Sequence, residues 1–129
     1  MVHARELRIV LVVDDYGAAA RLFRDVFGLE VLMDLEGQGG RGLILKLPTA
    51  TLEVVDADHD RYVDELEVGD PQDNRVRVAV EVEDLAEAAE TVLGTGAEAI
   101  AEPVDTPWGD RNQRFRLEEG LQLTLYQPT

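Results

Sequence analysis

Cysteine is absent from the chain, which excludes disulfide bridges, thiolate metal sites and cysteine nucleophiles. Histidine is scarce, with only His3 and His59 in 129 residues. Long apolar runs are missing as well; none approaches the roughly 20 residues that a bilayer span requires. The opening stretch Met1-Val2-His3-Ala4-Arg5 lacks the basic region and apolar segment of an export signal, so the expected location is the cytoplasm, with no membrane association. Positive charge is also short, 12 Lys plus Arg against 27 Asp plus Glu, for a formal net charge of −15. A field of that sign repels phosphate backbones and anionic lipid, so nucleic acid is not an expected partner. The same field draws cations toward any cleft it lines, and it also favours solubility. With 45% hydrophobic residues the chain has enough apolar material for one core, and a single domain over residues 1–129 is expected.

Periodicity sets the elements. Leu7 to Val13 reads as a strand closed by Asp14-Asp15, which can cap the following helix. That helix runs from about Tyr16 to Phe27, with Ala19, Ala20, Phe23, Val26 and Phe27 at helical spacing and Gly28 as its stop. Strands follow at Glu30 to Leu35, Arg41 to Leu47 and Thr51 to Val55, separated by Gly37-Gln38-Gly39-Gly40 and Pro48-Thr49. The order then repeats. Arg75 to Val82 alternates Val76, Val78, Val80 and Val82 with Arg77, Ala79 and Glu81, so Arg77 and Glu81 share the face opposite the valines. Asp84-Leu85-Ala86-Glu87 is a capping-box pattern opening a helix with Leu85, Ala88, Ala89, Val92 and Leu93 on one side. Further strands are expected near Ala99 to Val104, Asn112 to Leu117 and Leu121 to Tyr126.

Superposing Val13-Asp14-Asp15-Tyr16 on Val82-Glu83-Asp84-Leu85 defines an internal repeat that also puts Arg8 over Arg77. Two copies are too few for a solenoid, so two paired modules are expected, at residues 5–56 and 75–127. The segment 57–74 between them is dense in Asp and Glu and reads as a solvated linker, with Tyr62, Val63 and Leu66 able to form a turn or two of helix. Its oxygen-bearing residues do not follow EF-hand spacing.

The phrases Leu22-Phe23-Arg24-Asp25-Val26-Phe27-Gly28-Leu29-Glu30-Val31, Val80-Glu81-Val82-Glu83-Asp84-Leu85 and Pro107-Trp108-Gly109-Asp110-Arg111, in order along nearly the whole chain, resemble the vicinal oxygen chelate superfamily. Among its branches the chain most resembles the bleomycin resistance-like members that work without a metal. The resemblance implies an α+β fold: two tandem βαβββ modules forming a curved, mostly antiparallel sheet around a cleft, helices outside. It also implies a homodimer with the cleft at or near the interface.

In metal-dependent relatives each half supplies ligands from its first and fourth strands. By that resemblance the four positions fall on Arg8, Glu53, Arg77 and Thr124, while His3 and His59 lie in the tail and the acidic segment, outside the matched strands. A guanidinium has no lone pair to offer, so no metal and no other cofactor is expected. Arg8 and Arg77 then either form an internal ionic network or contact a ligand. Trp108 either stacks on a flat ligand or packs in a turn, Arg114 and Glu81 are further candidate contacts, and Tyr126 shares parity with Thr124. Glu53 is the one candidate acid or base. A Ser-His-Asp arrangement and a phosphate loop are unsupported; Gly37-Gln38-Gly39-Gly40 reads as a flexible hairpin. The expected function is binding and sequestration of a small organic molecule, such as an aromatic or glycopeptide antibiotic, without chemistry. A metal-independent lyase or isomerase, or a regulatory or structural dimer, remains open. The turn Leu117-Glu118-Glu119-Gly120 departs from the family's usual Asp-Pro-Asp-Gly.

Overall fold

The computed structural model describes residues 2–117 and 120–129, so Glu118 and Glu119 of the last expected turn lie outside the described residues. The first half contributes β1 (Ala4–Val12), β2 (Glu30–Asp34), β3 (Gly42–Lys46) and β4 (Thr51–Val55). The second contributes β5 (Val76–Val82), β6 (Glu98–Ala99), β7 (Val104–Asp105), β8 (Asp110–Arg116) and β9 (Gln122–Pro128). All join one sheet in the order β2-β3-β4-β1-β5-β9-β8-β6, with β7 also on β8. β1 pairs parallel with β4, β5 pairs parallel with β9, and the remaining pairs are antiparallel. The sequence repeat thus reappears as pairing. Each half is built alike, and the halves meet through antiparallel β1 and β5, with Ile9 opposite Val78. This curved mixed sheet with flanking helices is the α+β architecture expected.

The strand expected over Ala99 to Val104 is instead two short pieces, β6 and β7, on either side of Pro103, which has no N–H for a ladder bond. Helix α3 (Leu85–Leu93) is capped by Asp84, whose Oδ1 accepts from the Glu87 N–H at 3.1 Å. It packs Leu85, Ala88 and Ala89 against Val82, Phe115 and Leu125, forming the largest apolar cluster. Phe115 therefore belongs to the helix-covered face of the sheet. Helix α1 (Tyr16–Ala20) is capped by Asp15, which accepts from the Ala18 N–H at 2.9 Å. It continues as a π-helical stretch over Arg21–Val26, closed by the Phe27 N–H reaching back five residues to the Leu22 carbonyl at 2.9 Å. The wider turn rotates the apolar face. Ala20 and Phe23 still pack with Leu43 and Leu45, but Val26 and Phe27, expected inside, are 71% and 60% exposed.

The largest departure from expectation is the acidic segment, which forms a regular helix, α2 (Ala57–Glu67), capped by Asp56 accepting from the His59 N–H at 2.8 Å. Its buried residues are His59, Asp60, Val63, Asp64 and Glu67, one helical stripe that is almost entirely polar. The glycine hairpin is not a free loop either. A Cβ on Gly39 would stand 2.3 Å from Tyr62 Cγ, and one on Gly40 2.4 Å from the His59 nitrogen, so both glycines are where α2 seats against the loop. Among the described residues no helix is long and apolar enough to cross a membrane.

Candidate functional site

Strand register arranges the face opposite α3 into three cross-strand rows. The first runs Asn112, Tyr126, Glu81, Glu6; the second runs Arg114, Thr124, Ala79, Arg8, Thr51; the third runs Gln122, Arg77, Val10, Glu53, Ile44. Period-two alternation puts these side chains on one face, and α2 lies over it. Between sheet and helix is a cavity of about 190 Å³. Arg8, Glu53, Arg77, Glu81, Thr124 and Tyr126 line it from the strands, and Trp108 lines it from the turn before β8. Arg114 does not. It is completely buried beneath α2, with Nη1 3.0 Å from Asp64 Oδ1 and Nη2 2.9 Å from Glu67 Oε1, and so ties the helix to the sheet.

Four polar lining residues escape sequence reasoning: His59, Glu67, Asp110 and Asn112. His59 in particular, set aside as lying in a linker, is 1% exposed and inside the site. The signal that could have found it is charge. Three inward-facing arginines on strands demand carboxylates, and Asp60, Asp64 and Glu67 share one helical face.

Arg77 Nη1 donates to Asp60 Oδ1 at 2.6 Å, both groups buried. Burial alone lowers the Arg77 pKa, but Glu67, Asp60 and Glu53 outweigh it and leave it raised, so the guanidinium stays charged. Arg8 donates to Glu6 at 2.8 Å and to Thr51 Oγ1 at 3.1 Å, lies 3.8 Å from Glu53, and sits 5.1 Å above the Tyr126 ring. The Tyr126 hydroxyl donates to Glu6. Both arginines are thus paired with neighbouring carboxylates. Burial pushes the Asp110 carboxyl above the usual carboxylate range; Arg8 pulls it back, while Glu81 and Glu6 push it further up. Asp64 is likewise raised by burial, which its bonds from Gln72 and Arg114 only partly offset.

The His59 ring is held from one side. Its Nδ1 lies 2.5 Å from the Gln38 carbonyl oxygen, which can only accept, so Nδ1 carries the hydrogen and Nε2 is left with its lone pair. Nε2 stands 4.0 Å from Glu53 Oε2, and the Trp108 ring centroid is 6.5 Å from that of His59.

A divalent metal does not fit. Of the four positions inherited from metal-dependent relatives, two are guanidiniums already donating to carboxylates, and Thr124 Oγ1 faces Glu67 Oε1 at 3.4 Å. Among the described residues no group of three or more His, Cys, Asp or Glu is arranged to hold an ion.

No curated protein matches the chain. Solved structures do. A hypothetical protein from Bacillus halodurans C-125 is 15% identical with a TM-score of 0.72, covering 98% of this chain and 95% of its own. Methylmalonyl-CoA epimerase from Mycobacterium tuberculosis is 17% identical with a TM-score of 0.70, covering 98% and 89%. A glyoxalase/bleomycin resistance protein/dioxygenase superfamily member from Vibrio splendidus 12B01 is 16% identical with a TM-score of 0.65, covering 97% and 99%. At such identities these likenesses establish the fold alone. Residues 8–125, nearly the whole chain and both halves of the repeat, match the family model described as a glyoxalase-like domain, and the chain belongs to that family within the vicinal oxygen chelate superfamily.

Proposed function

We propose that the cleft is the site of a metal-independent isomerase or lyase that moves a proton on a small organic molecule, with His59 and Glu53 as the acid–base pair. The observation that carries this reading is the tethered imidazole: Gln38 holds Nδ1, and Nε2 faces Glu53 at 4.0 Å across the cavity. That gap is too long for a direct hydrogen bond, yet both atoms can reach one substrate from the same side. A carbon held between two groups on opposite faces, each about 3 Å away, needs them roughly 6 Å apart. The pair therefore suits transfer on one face. A C–H bond next to a carbonyl breaks, its proton passes to one member of the pair, and a proton returns to the neighbouring carbon or to a leaving group. Arg8, 3.8 Å from Glu53, supplies positive charge beside the oxygen on which negative charge develops.

Size and charge narrow the substrate. A volume of about 190 Å³ is below the roughly 300 Å³ at which drug-sized ligands are accommodated. This weighs against sequestration of a glycopeptide or polycyclic antibiotic inside the cleft. The epimerase relatives handle a coenzyme A thioester; here a chain of net charge −15 opposes so anionic a group. The reading includes a homodimer in the cytoplasm. Its support is the exposed apolar strip of Val31, Leu32 and Met33 on edge strand β2 beside Val26 and Phe27.

The test is hydrogen exchange from D2O into a panel of small hydroxy- and amino-carbonyl compounds, followed by proton NMR and mass. Catalysed exchange or isomerisation is expected, falling about 10²- to 10⁴-fold in His59→Gln and in Glu53→Gln. Saturable binding with unchanged ligand and no exchange across the panel would replace this reading with simple ligand binding.

A further inference from the structure

The cavity wall is out of electrostatic balance at one end. Glu53, Glu67, Glu81 and Asp110 line it, against Arg8 and Arg77. Arg77 is committed to Asp60, and Glu67 is answered from behind by Arg114. Arg8 is shared between Glu6 and Glu53. No hydrogen bond or ion pair among the described residues reaches the side chains of Glu81 or Asp110. These two sit on either side of Tyr126: Glu81 is its cross-strand partner on β5, and Asp110 is two residues from its partner Asn112 on β8.

Asn112 supplies an independent observation. It is 6% exposed and lines the cavity; its Nδ2 donates to Glu67 Oε2 at 2.8 Å, but its Oδ1 is buried with no hydrogen-bond partner. A buried acceptor left unmade is destabilising, and it is satisfied when a donor arrives. All the unanswered groups at this end are acceptors, two of them carboxylates. Beside them Trp108 offers an aromatic face at the cavity wall, half-buried.

We infer that the ligand of this cleft carries a protonated amine, seated among Glu81, Asp110 and Asn112. This rests on the proposed function only in placing the reactive end of the same molecule at His59 and Glu53. An ammonium has three N–H donors and no acceptor, matching three acceptors at one site, and its charge answers the surplus of carboxylates. A carboxylate or phosphate ligand would meet like charge there. The Asp110 carboxyl, raised first by burial and further by Glu81 and Glu6 against the pull of Arg8, would be relieved by an incoming cation.

The experiment is a titration of the full chain with ethanolamine, ethylene glycol and propionate, followed by the Trp108 indole resonance in nitrogen–proton correlation spectra. Ethanolamine should give a saturable shift, the neutral and anionic probes should not, and Asp110→Asn and Glu81→Gln should each weaken ethanolamine by about tenfold or more. Neither carboxylate has a structural partner, so both variants are expected to fold, which their amide spectra verify. An equal response to ethylene glycol, preference for propionate, or unchanged binding in both variants would overturn the inference. The readout requires no turnover. Ammonium binding without hydrogen exchange would sink the reaction class and leave this inference standing; exchange on amine-free carbonyl compounds with no ammonium preference would do the reverse.

Discussion

Replacing Arg114 by Met tests how α2 is held over the sheet. The change keeps most of the apolar stem and deletes the guanidinium that meets both Asp64 and Glu67, groups 1% and 2% exposed at the side chain. Asp64 would retain only the Gln72 backbone N–H at 2.9 Å, and Glu67 the Asn112 amide at 2.8 Å with the long Thr124 contact. Removing one side of such a buried pair typically costs about 3–5 kcal/mol. The native state of an ordinary domain is stable by about 5–15 kcal/mol, so the loss is a large share of the total. At roughly 3–5 °C per kcal/mol for a chain of this size, Tm should fall by about 10–20 °C. Urea unfolding and calorimetry read the value, and amide exchange reads the location: protection over residues 57–67 should collapse before that of β1 and β5. Adding Asp64→Asn and Glu67→Gln should recover part of the loss, because neutral amides need no cation. A Tm within about 2 °C of the parent would refute the ionic anchoring of α2.

Other expectations follow from the same contacts. Gly39→Ala adds a left-handed backbone penalty of about 1–2 kcal/mol and a collision with Tyr62, whereas Gly37→Ala, whose Cβ meets nothing within 4 Å, adds only the first. Chemical denaturation should therefore show Gly39→Ala distinctly less stable than Gly37→Ala, and equal losses would mean that the loop does not seat the helix. Asp56 is held below its usual carboxylate range because bonds from His59 and Arg41 outweigh the effect of burial. Its stabilisation of the α2 N-terminus is complete above the unfolded value near 3.8 and is lost as pH falls through the lower folded value, a slope that Asp56→Asn should remove from stability-against-pH curves. Metal analysis after exposure to zinc, nickel or iron should find no stoichiometric ion held by the cleft, and EDTA should leave hydrogen exchange unchanged; an ion ligated by Glu53 would contradict the donor-set argument.

Much of the fold was legible because its signals are local or periodic. The alternation of Val76 to Val82 with Arg77, Ala79 and Glu81 separated the two faces of β5, and the repeat put Arg8 and Arg77 at equivalent places on β1 and β5. Tyr126 was placed with Thr124 by parity alone. The helix over the cleft was not legible because its buried stripe is charged: Asp60, Asp64 and Glu67 look like solvated residues until Arg77 and Arg114 are known to face them. With α2 hidden, His59 and the pairing of Arg114 were hidden too. The π-helical turn was missed because no residue type marks the one extra position that turns Val26 and Phe27 outward.

The central claim is that α2 delivers a tethered imidazole into a cleft unsuited to a metal. Long-range nitrogen–proton correlation spectra of the single interior histidine, recorded near pH 8 on the full chain, read its tautomer directly. The account predicts His59 with hydrogen on Nδ1 and a bare Nε2, and a loss of that signature in Gly39→Ala. A hydrogen resident on Nε2, or the averaged signal of a free surface histidine, would contradict it.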